Sequence, residues 1–196
     1  MKRFFDLIIS FFGLVILTPV FIIIALLIKL DDNGPLLFKQ QRVGKNGILF
    51  ILYKFRSMRI IEDTKEGNFE PGNTSRVTST GKFLRRSKLD ELPQLINVLI
   101  GDMSIVGPRP EVEKWVGVYP ERWNRVLAVK PGITDNSSIE FRNEESLLAE
   151  SADPEKTYRE IILPRKLDLY EDYVFNNSLS GDLKLILITI YTIIFK

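Results

Sequence analysis

Residues 81–110 read GKFLRRSKLDELPQLINVLIGDMSIVGPRP, and this stretch contains the clearest helix signal of the chain. Pro93 suits the first turn of a helix, because that turn needs no amide donor from it and its φ is already helical. The apolar residues that follow at helical spacing are Leu95, Ile96, Leu99 and Ile100. Gly101 suits the end of a helix. The pattern therefore predicts a helix that begins near Pro93 and ends at Gly101.

Asp90 and Glu91 lie just before that helix, where free amide groups and the helix dipole favour anions. One interpretation makes them helix-capping acids, which composition alone favours. The other makes them a catalytic pair among basic residues that gather phosphate, since an Arg fork binds two phosphate oxygens at once. The basic candidates are Lys54, Arg85, Arg86, Arg109 and Arg142. Scattered basic residues are usually solvated surface, so the pattern leaves both interpretations open.

Further elements are predicted on both sides of this stretch. Upstream, an Asn-Gly pair within 44–47 separates the β-prone runs 36–43 and 48–55, which predicts a β-hairpin. A polar stretch over 62–80 predicts a loop. The downstream predictions are helices over 111–118 and 121–129, a turn at Pro131-Gly132, and helices with breaks over 140–174. Together these elements indicate a mixed α/β domain.

Residues 7–28 contain no charged side chain, and a helix of that length spans about 33 Å, enough for a bilayer core. Pro19 predicts a bend near its centre, with the Thr18 hydroxyl as a partner for a freed carbonyl. Both flanks are basic, which draws both toward the cytoplasm. The flanking cations are Lys2, Arg3, Lys29, Arg42, Lys45, Lys54, Arg56 and Arg59. A re-entrant hairpin and a single-pass kinked helix both remain open at this point.

The C-terminal residues 183–195 are almost wholly apolar but too short to span a bilayer comfortably. They predict a helix that lies in the membrane interface or packs on the protein. The resulting plan has three parts: a membrane helix over 1–30, a cytoplasmic catalytic domain over 31–182 and an interfacial apolar helix over 183–196.

Composition excludes several chemistries. The chain has no Cys and no His, which removes disulfides, a thiolate nucleophile, Cys-based metal sites and the usual proton shuttle near neutral pH. With 27 Lys plus Arg against 25 Asp plus Glu, the net charge of +2 does not favour a nucleic-acid partner. Catalysis must rest on carboxylates, Lys, Arg, hydroxyls or a hard metal ion.

Ordered motifs tie these observations together. They are KRFFDLIIS at 2–10, FKQQRVGKNG at 38–47, YKFRSM at 53–58, the stretch over 89–110, KPGIT at 130–134 and SLSGDLKL at 178–185. In this order they resemble the bacterial sugar transferase family, in particular its small monotopic phosphoglycosyl transferases. The stretch over 89–110 is long and specific, so chance similarity is a poor explanation for it.

The resemblance implies an enzyme that transfers sugar 1-phosphate from a UDP-sugar to polyprenyl phosphate, such as undecaprenyl phosphate, and releases UMP. This reaction would initiate surface glycan or glycoprotein assembly on the cytoplasmic face of the bacterial inner membrane. In the family the Asp of the Asp-Glu pair is the nucleophile, so Asp90 would carry a covalent phosphosugar, assisted by Glu91. The same pair, Asp90 and Glu91, would lie at a Mg²⁺ ion.

Other family positions carry over as follows. The basic residues that contact phosphate correspond to Lys54, Arg85, Arg109 and Arg142, Pro110 completes the Pro-Arg-Pro turn, and Asp182 matches an Asp near the C-terminal helix. The family's membrane helix is re-entrant, which favours the hairpin here. The sequence departs from the family at Thr18-Pro19, where Ser-Pro is usual, and at Asp135-Asn136-Ser137-Ser138, which bears on the alignment of Arg142.

Two rival functions share these residues. One is a membrane-anchored scaffold of a glycan pathway without catalysis, against which the intact set of Lys54, Asp90, Glu91 and Arg109 argues. The other is a metal-dependent phosphodiesterase, which would hydrolyse lipid-linked diphosphates instead of transferring sugar phosphate. The donor sugar, the glycan that is built and the existence of a homodimer stay open.

Overall fold

The computed structural model describes residues 1–31, 33–59 and 76–195. Its strands are β1 (Leu37–Val43), β2 (Leu49–Phe55), β3 (Ser104–Val106) and β4 (Gly132–Thr134). Its longer helices are α1 (Lys2–Asp31), α2 (Ser79–Arg86), α3 (Gln94–Ile100), α5 (Pro120–Val126), α9 (Leu163–Asn176) and α10 (Leu179–Phe195). Its short helices are α4 (Glu113–Val116), α6 (Asn136–Glu140), α7 (Glu144–Ala149) and α8 (Pro154–Thr157). The predicted mixed α/β class is confirmed.

The predicted hairpin is confirmed. Strands β1 and β2 pair antiparallel, with Leu37 opposite Phe55 and Val43 opposite Leu49. The tight turn between them uses left-handed φ values of 57° at Asn46 and 77° at Gly47. Asn and Gly tolerate that region better than other residues, which explains why the pair signals a turn here.

The predicted helix before Gly101 is also confirmed, as α3. Pro93 stands at its N-terminus, and Gly101 ends it with a φ of 105°. The buried Asn97 side chain joins this helix to the hairpin: its Nδ2 donates to the carbonyl of Ile51 at 2.7 Å, and its Oδ1 accepts from the amide of Tyr53 at 3.0 Å. Helix α3 and strand β2 are therefore fixed against each other on either side of Asp90.

The predicted Pro131-Gly132 turn is wrong. Gly132 begins β4, which pairs parallel with β3, so that Ser104 lies opposite Gly132 and Val106 opposite Thr134. A Cβ at Gly132 would lie 2.1 Å from the amide nitrogen of Gly107, so glycine is needed for close backbone approach and not for chain reversal.

Three other predicted boundaries change. The helix predicted over 111–118 is the single turn α4, and the one over 121–129 ends earlier, at Val126. The predicted loop over 62–80 lies outside the described residues for the most part. Its last two positions, Ser79 and Thr80, already belong to α2, whose N-terminus is capped by the Thr78 hydroxyl.

Helix α1 continues through Pro19 from Lys2 to Asp31, and within the described residues it is the one helix long and apolar enough to cross a membrane. The Thr18 hydroxyl donates to the carbonyl of Leu14 at 2.8 Å. Pro19 has no amide hydrogen to donate to the Val15 carbonyl, so Val15 is the carbonyl that the proline frees. The Thr18 hydroxyl binds the carbonyl one residue earlier than that.

Both ends of α1 contact the same domain. Near its start, Asp6 accepts from the Ile105 amide at 3.0 Å, and Arg3 donates to the Leu99 carbonyl at 2.9 Å. At its end, Asp31 accepts from the Thr80 amide at 2.9 Å. The opposite face of the helix exposes large apolar side chains along its length: Phe4, Phe11, Phe12, Ile16, Ile23 and Leu30.

The apolar core has three parts. One lies between the hairpin, α3 and β3, and the partly buried Leu14 and Leu17 of α1 pack on it. A second surrounds Trp115 and Trp123 under α4, α5 and α9. The third joins the end of α1 to α2, around the following buried residues: Ile24, Ile28, Phe55 and Leu84. The two ends of α1 therefore pack on two different parts of the core.

Candidate active site

Asp90 and Glu91 lie in a tight helical turn, Leu89–Glu91, between α2 and α3. The chain reverses at Lys88, which has a left-handed φ of 58°. Helix α3 begins after Pro93 with no side-chain cap, so neither acid caps it as the simpler interpretation expected. Both carboxylates are instead buried beside the hairpin, at 7% and 8% exposure.

Glu91 is the centre of an ion cluster. Its Oε1 accepts from Lys54 Nζ at 2.9 Å, and Arg109 grips the same carboxylate with both of its terminal nitrogens, at 2.5 and 3.1 Å. Burial alone would raise the pKa of Glu91, but Arg109 and Lys54 outweigh burial and hold that pKa well below its ordinary value. Glu91 is therefore a fixed anion that positions two cations.

Asp90 is buried like its neighbour but lacks the same hydrogen bonds. Its Oδ1 is buried without a hydrogen-bond partner among the described residues. Burial raises the pKa of Asp90 to about 6, against the attraction of Lys54, and the adjacent Glu91 charge adds to the rise. Burial also lowers the pKa of Lys54. A carboxylate short of both solvent and hydrogen bonds has an environment that is typical of functional acids.

Arg109 reaches this cluster because it follows β3 through Gly107 and Pro108. The Glu91 carboxylate raises the pKa of Arg109, so its charge is permanent. Pro110 is buried, and its carbonyl accepts from Arg42 Nη1 at 3.3 Å. The two prolines thus restrict the backbone on both sides of Arg109.

The two other predicted phosphate contacts are Arg85 and Arg142. They lie at the rim of the open cleft in which Lys54, Asp90, Glu91 and Arg109 meet. Arg85 pairs with Glu145, and Arg142 donates from Nη1 to the backbone carbonyl of Thr192 on α10. The cleft thereby brings together six of the predicted site residues, which are Lys54, Arg85, Asp90, Glu91, Arg109 and Arg142.

Asp182 lies apart from that set. Its carboxylate pairs with Lys2 Nζ and accepts from the Tyr173 hydroxyl at 3.0 Å, so it ties the start of α1 to the first turn of α10. The described residues that line the cleft do not include Asp182, Thr18 or Pro19. The geometry gives Asp182 the role of positioning the two apolar helices relative to each other.

One wall of the cleft was missed by sequence reasoning. Arg42 pairs with Glu111 at 3.2 Å, the Tyr158 hydroxyl donates to the same Glu111, and the buried Lys166 pairs with Glu144 at 2.5 Å while lying over the Tyr158 ring. No local sequence pattern marks this network of side chains, because Tyr158 and Glu111 are 47 positions apart. Only Arg42, within the FKQQRVGKNG motif, gave any sequence signal.

Residues 135–138, where the sequence differs from the pattern that the resemblance implies, form the start of a helix. Asp135 caps α6, accepting from the Ser138 amide at 2.8 Å, and is 1% exposed. The buried Ser137 hydroxyl donates to the Tyr170 hydroxyl at 3.0 Å. These residues thus form the helix that leads to Arg142.

The acids present fit a hard divalent cation that is shared with substrate. In the part of the chain that the structure describes, no group of three or more acidic, His or Cys side chains could form a closed metal site. Asp90 Oδ1 is unpartnered, and Glu91 Oε2 accepts a single bond, from Arg109. Mg²⁺ commonly takes one or two carboxylates and completes its shell with substrate phosphate and water.

Comparison with known proteins gives one family. The family model described as bacterial sugar transferase matches residues 1–196, the whole chain. A relative similar over almost the full length is the uncharacterized sugar transferase EpsL of Bacillus subtilis, which is 38% identical over 190 residues, covering 97% of this chain and 85% of the relative.

Two further relatives carry names that state a reaction. The UDP-glucose:undecaprenyl-phosphate glucose-1-phosphate transferase of Escherichia coli is 35% identical over 97% of this chain, but the chain spans only 39% of that enzyme's length. A putative undecaprenyl-phosphate N-acetylgalactosaminyl 1-phosphate transferase of Bacillus subtilis is 46% identical over 68% of this chain and 70% of the relative.

Proposed function

This chain belongs to the bacterial sugar transferase family, and from that premise we propose that it transfers sugar 1-phosphate from a UDP-sugar to polyprenyl phosphate, releasing UMP. The observation that carries the proposal is the contrast within one buried pair. Glu91 is held as an anion by Lys54 and Arg109, while Asp90 keeps an unpartnered oxygen in the same cleft. In this pair, Asp90 is available as the nucleophile, and Glu91 positions the cations around it.

In the first step, a carboxylate oxygen of Asp90 attacks the phosphorus that bears the sugar. A new P–O bond forms to Asp90, the bond from that phosphorus to the bridging oxygen of the diphosphate breaks, and UMP leaves with the bridging oxygen and that electron pair. The product is a mixed anhydride of carboxylate and sugar phosphate. No proton needs to move, because UMP leaves as an anion, which suits a chain without His.

In the second step, a phosphate oxygen of the polyprenyl phosphate attacks the same phosphorus. The anhydride P–O bond breaks, the Asp90 carboxylate is restored, and a polyprenyl diphosphate sugar is released. The attacking phosphate is already anionic, so this step also needs no general base. Both steps depend on positioning and on charge neutralisation at the reacting phosphorus.

The cations of the cleft supply that neutralisation. Arg109 and Lys54 are pre-positioned by Glu91 and need little reorganisation when the diphosphate binds. Arg85 lies at the rim, where it exchanges its contact with the exposed Glu145 for a phosphate oxygen. Mg²⁺, held by the Asp90 and Glu91 pair together with donor oxygens, would neutralise the leaving UMP when bound.

The position of the membrane helix supports a re-entrant α1. Its two ends bond to the same domain, through Asp6 and Asp31, and a spanning helix would place those ends on opposite faces of the bilayer. Its exposed apolar face is available to lipid. We therefore place the domain on the cytoplasmic face of the bacterial inner membrane, where the head group of the acceptor lies.

The test is an assay of detergent-purified protein with Mg²⁺, undecaprenyl phosphate and a panel of UDP-sugars. We expect one donor to give UMP together with a sugar-bearing lipid that partitions into organic solvent. Release of free sugar phosphate into water from an added polyprenyl diphosphate sugar, without formation of the lipid product from any UDP-sugar, would identify a phosphodiesterase. Absence of both products with every donor would favour the scaffold.

A further inference from the structure

We propose that α10 borders the entrance through which the acceptor reaches Asp90, with the isoprenoid chain along α10 and Arg142 binding the acceptor phosphate as it enters. The inference rests on the proposed transfer reaction and adds to it the place where the lipid substrate enters. It assigns a role to the C-terminal helix, which neither of the two chemical steps uses.

The cleft around Asp90 is lined by two chemically different sets of residues. One set is cationic, with Lys54 and Arg109 gathered on Glu91. The other set is apolar and consists of Leu95, Ile133, Ile139 and Ile193. The first three of these belong to the core on which α1 also packs. The apolar set therefore lies next to an element with a lipid-facing surface.

Helix α10 has a different composition on each side. Thr189, Thr192 and Ile193 line the cleft, whereas Leu187 and Tyr191 point away from it and are 67% and 56% exposed. A helix whose outer face is apolar and exposed is suited to contact the hydrocarbon of a bilayer. The same helix thus borders the lipid phase on one side and the reaction cleft on the other.

Two polar contacts hold α10 at the cleft. The Thr189 and Thr134 hydroxyls bond to each other at 2.6 Å, which attaches the helix to β4. Arg142 donates from Nη1 to the Thr192 carbonyl near the end of the helix. A guanidinium has five N–H donors, so Arg142 can keep this bond and also bind a phosphate.

The acceptor is an amphiphile whose two parts match this arrangement. Its phosphate needs a cation, which Arg142 supplies at the rim, and its hydrocarbon chain needs a route that never leaves apolar surroundings. Exposing that chain to water would cost about 0.8 kcal/mol for each CH₂ group. A UDP-sugar approaches from water and needs no such route. The apolar lining beside α10 therefore fits the acceptor chain, and the cationic residues on Glu91 fit the donor diphosphate.

The test separates the two steps of the reaction in a bulky variant, Ile193→Trp. Without acceptor, the variant should release a burst of one UMP per protein, as the wild type does, because Asp90 and the cations proposed to bind the donor are unchanged. With undecaprenyl phosphate, its acceptor kcat/KM should fall about tenfold or more, since the larger ring fills the apolar route. An intact burst with wild-type acceptor kcat/KM would overturn the inference and leave the proposed function standing.

Leu187→Trp is the matched control, because it places the same ring on the outer face of the same helix. We expect it to match the wild type in both assays, and an equal loss of acceptor kcat/KM in both variants would overturn the inference. If the wild type itself shows no burst with any donor, the proposed function fails first.

Photo-crosslinking of the wild type covers the case in which Ile193→Trp does not fold. A polyprenyl phosphate with a diazirine near its phosphate should label α10 around Thr192, and unlabelled undecaprenyl phosphate should compete. Competed labelling confined to other elements would overturn the inference.

Discussion

The two adjacent carboxylates should respond in opposite directions to removal of their charge. The paired variants are Asp90→Asn and Glu91→Gln, each isosteric with the residue that it replaces. Asp90 is a buried anion whose pKa is raised to about 6, whereas the pKa of Glu91 is held well below its ordinary value. Asp90→Asn should abolish transfer and stabilise the fold, while Glu91→Gln should destabilise it.

The magnitude for Asp90 comes from linkage between ionisation and folding. Folding raises the pKa of this carboxyl from 3.8 to about 6, so the folded state binds the proton more tightly and stability falls as pH rises between these values. Each pKa unit corresponds to 1.36 kcal/mol, so the ionised side chain costs about 3 kcal/mol above pH 6. Asparagine removes that cost. Below pH 4 the wild type is neutral at this position, and the two proteins should be equally stable.

Glu91→Gln works in the other direction because it leaves the partly buried Lys54 and Arg109 without their anion. Breaking a buried pair in this way costs about 3–5 kcal/mol. The assay is thermal unfolding in detergent at a series of pH values. For a chain of this size about 3 kcal/mol corresponds to a shift of roughly 6–12 °C in Tm.

At pH 7.5 we therefore expect Asp90→Asn to melt above the wild type and Glu91→Gln below it. The advantage of Asp90→Asn should shrink as pH falls from 6 to 4, since titration of all other groups is common to both proteins. Two results would refute the reasoning: an Asp90→Asn variant less stable than the wild type at pH 7.5, or a difference that does not change with pH.

Three further predictions follow from the same structure. Arg109→Lys keeps the charge but loses the two-pronged grip on Glu91, so steady-state transfer should fall about 10- to 100-fold, while near-wild-type activity would contradict the role of the fork. Gly132→Ala should lower the free energy of unfolding by about 3 kcal/mol by forcing β4 from Gly107, whereas Gly117→Ala, whose Cβ would make only ordinary contacts at 3.4 and 3.7 Å, should be neutral in the same denaturation experiment. Because the chain has no native Cys, an added N-terminal Cys and Asn33→Cys can each be labelled with an impermeant maleimide; both should react in inverted vesicles alone, and labelling from opposite faces would contradict a re-entrant α1.

Local patterns predicted the elements that depend on local chemistry. The hairpin turn at Asn46-Gly47 and the helix between Pro93 and Gly101 each follow from residues whose backbone preferences are strong. Gly132 was misread because a glycine required for close approach to another strand looks the same in sequence as one required for a turn. The difference lies in Gly107, which is distant along the chain.

In the candidate site, too, some features follow from local sequence and others from tertiary packing. Asp90 and Glu91 are neighbours in sequence, so a single motif indicates both, but their opposite environments arise from Lys54 and Arg109 on separate elements. The wall formed through Glu111 and Tyr158 is wholly a product of tertiary packing. The family resemblance therefore indicated that Lys54 and Arg109 meet the two acids, and the structure shows why Glu91 is bound by cations while Asp90 keeps an unpartnered oxygen.

The central claim is that Asp90 is the nucleophile, and intact-protein mass tests it most directly. Detergent-purified wild type and Asp90→Asn would be incubated with Mg²⁺ and a panel of UDP-sugars, without acceptor lipid. The account predicts that one donor adds the mass of its sugar phosphate to the wild type alone, with one UMP released per protein. An adduct of that mass on Asp90→Asn, or full turnover by that variant once polyprenyl phosphate is added, would contradict it.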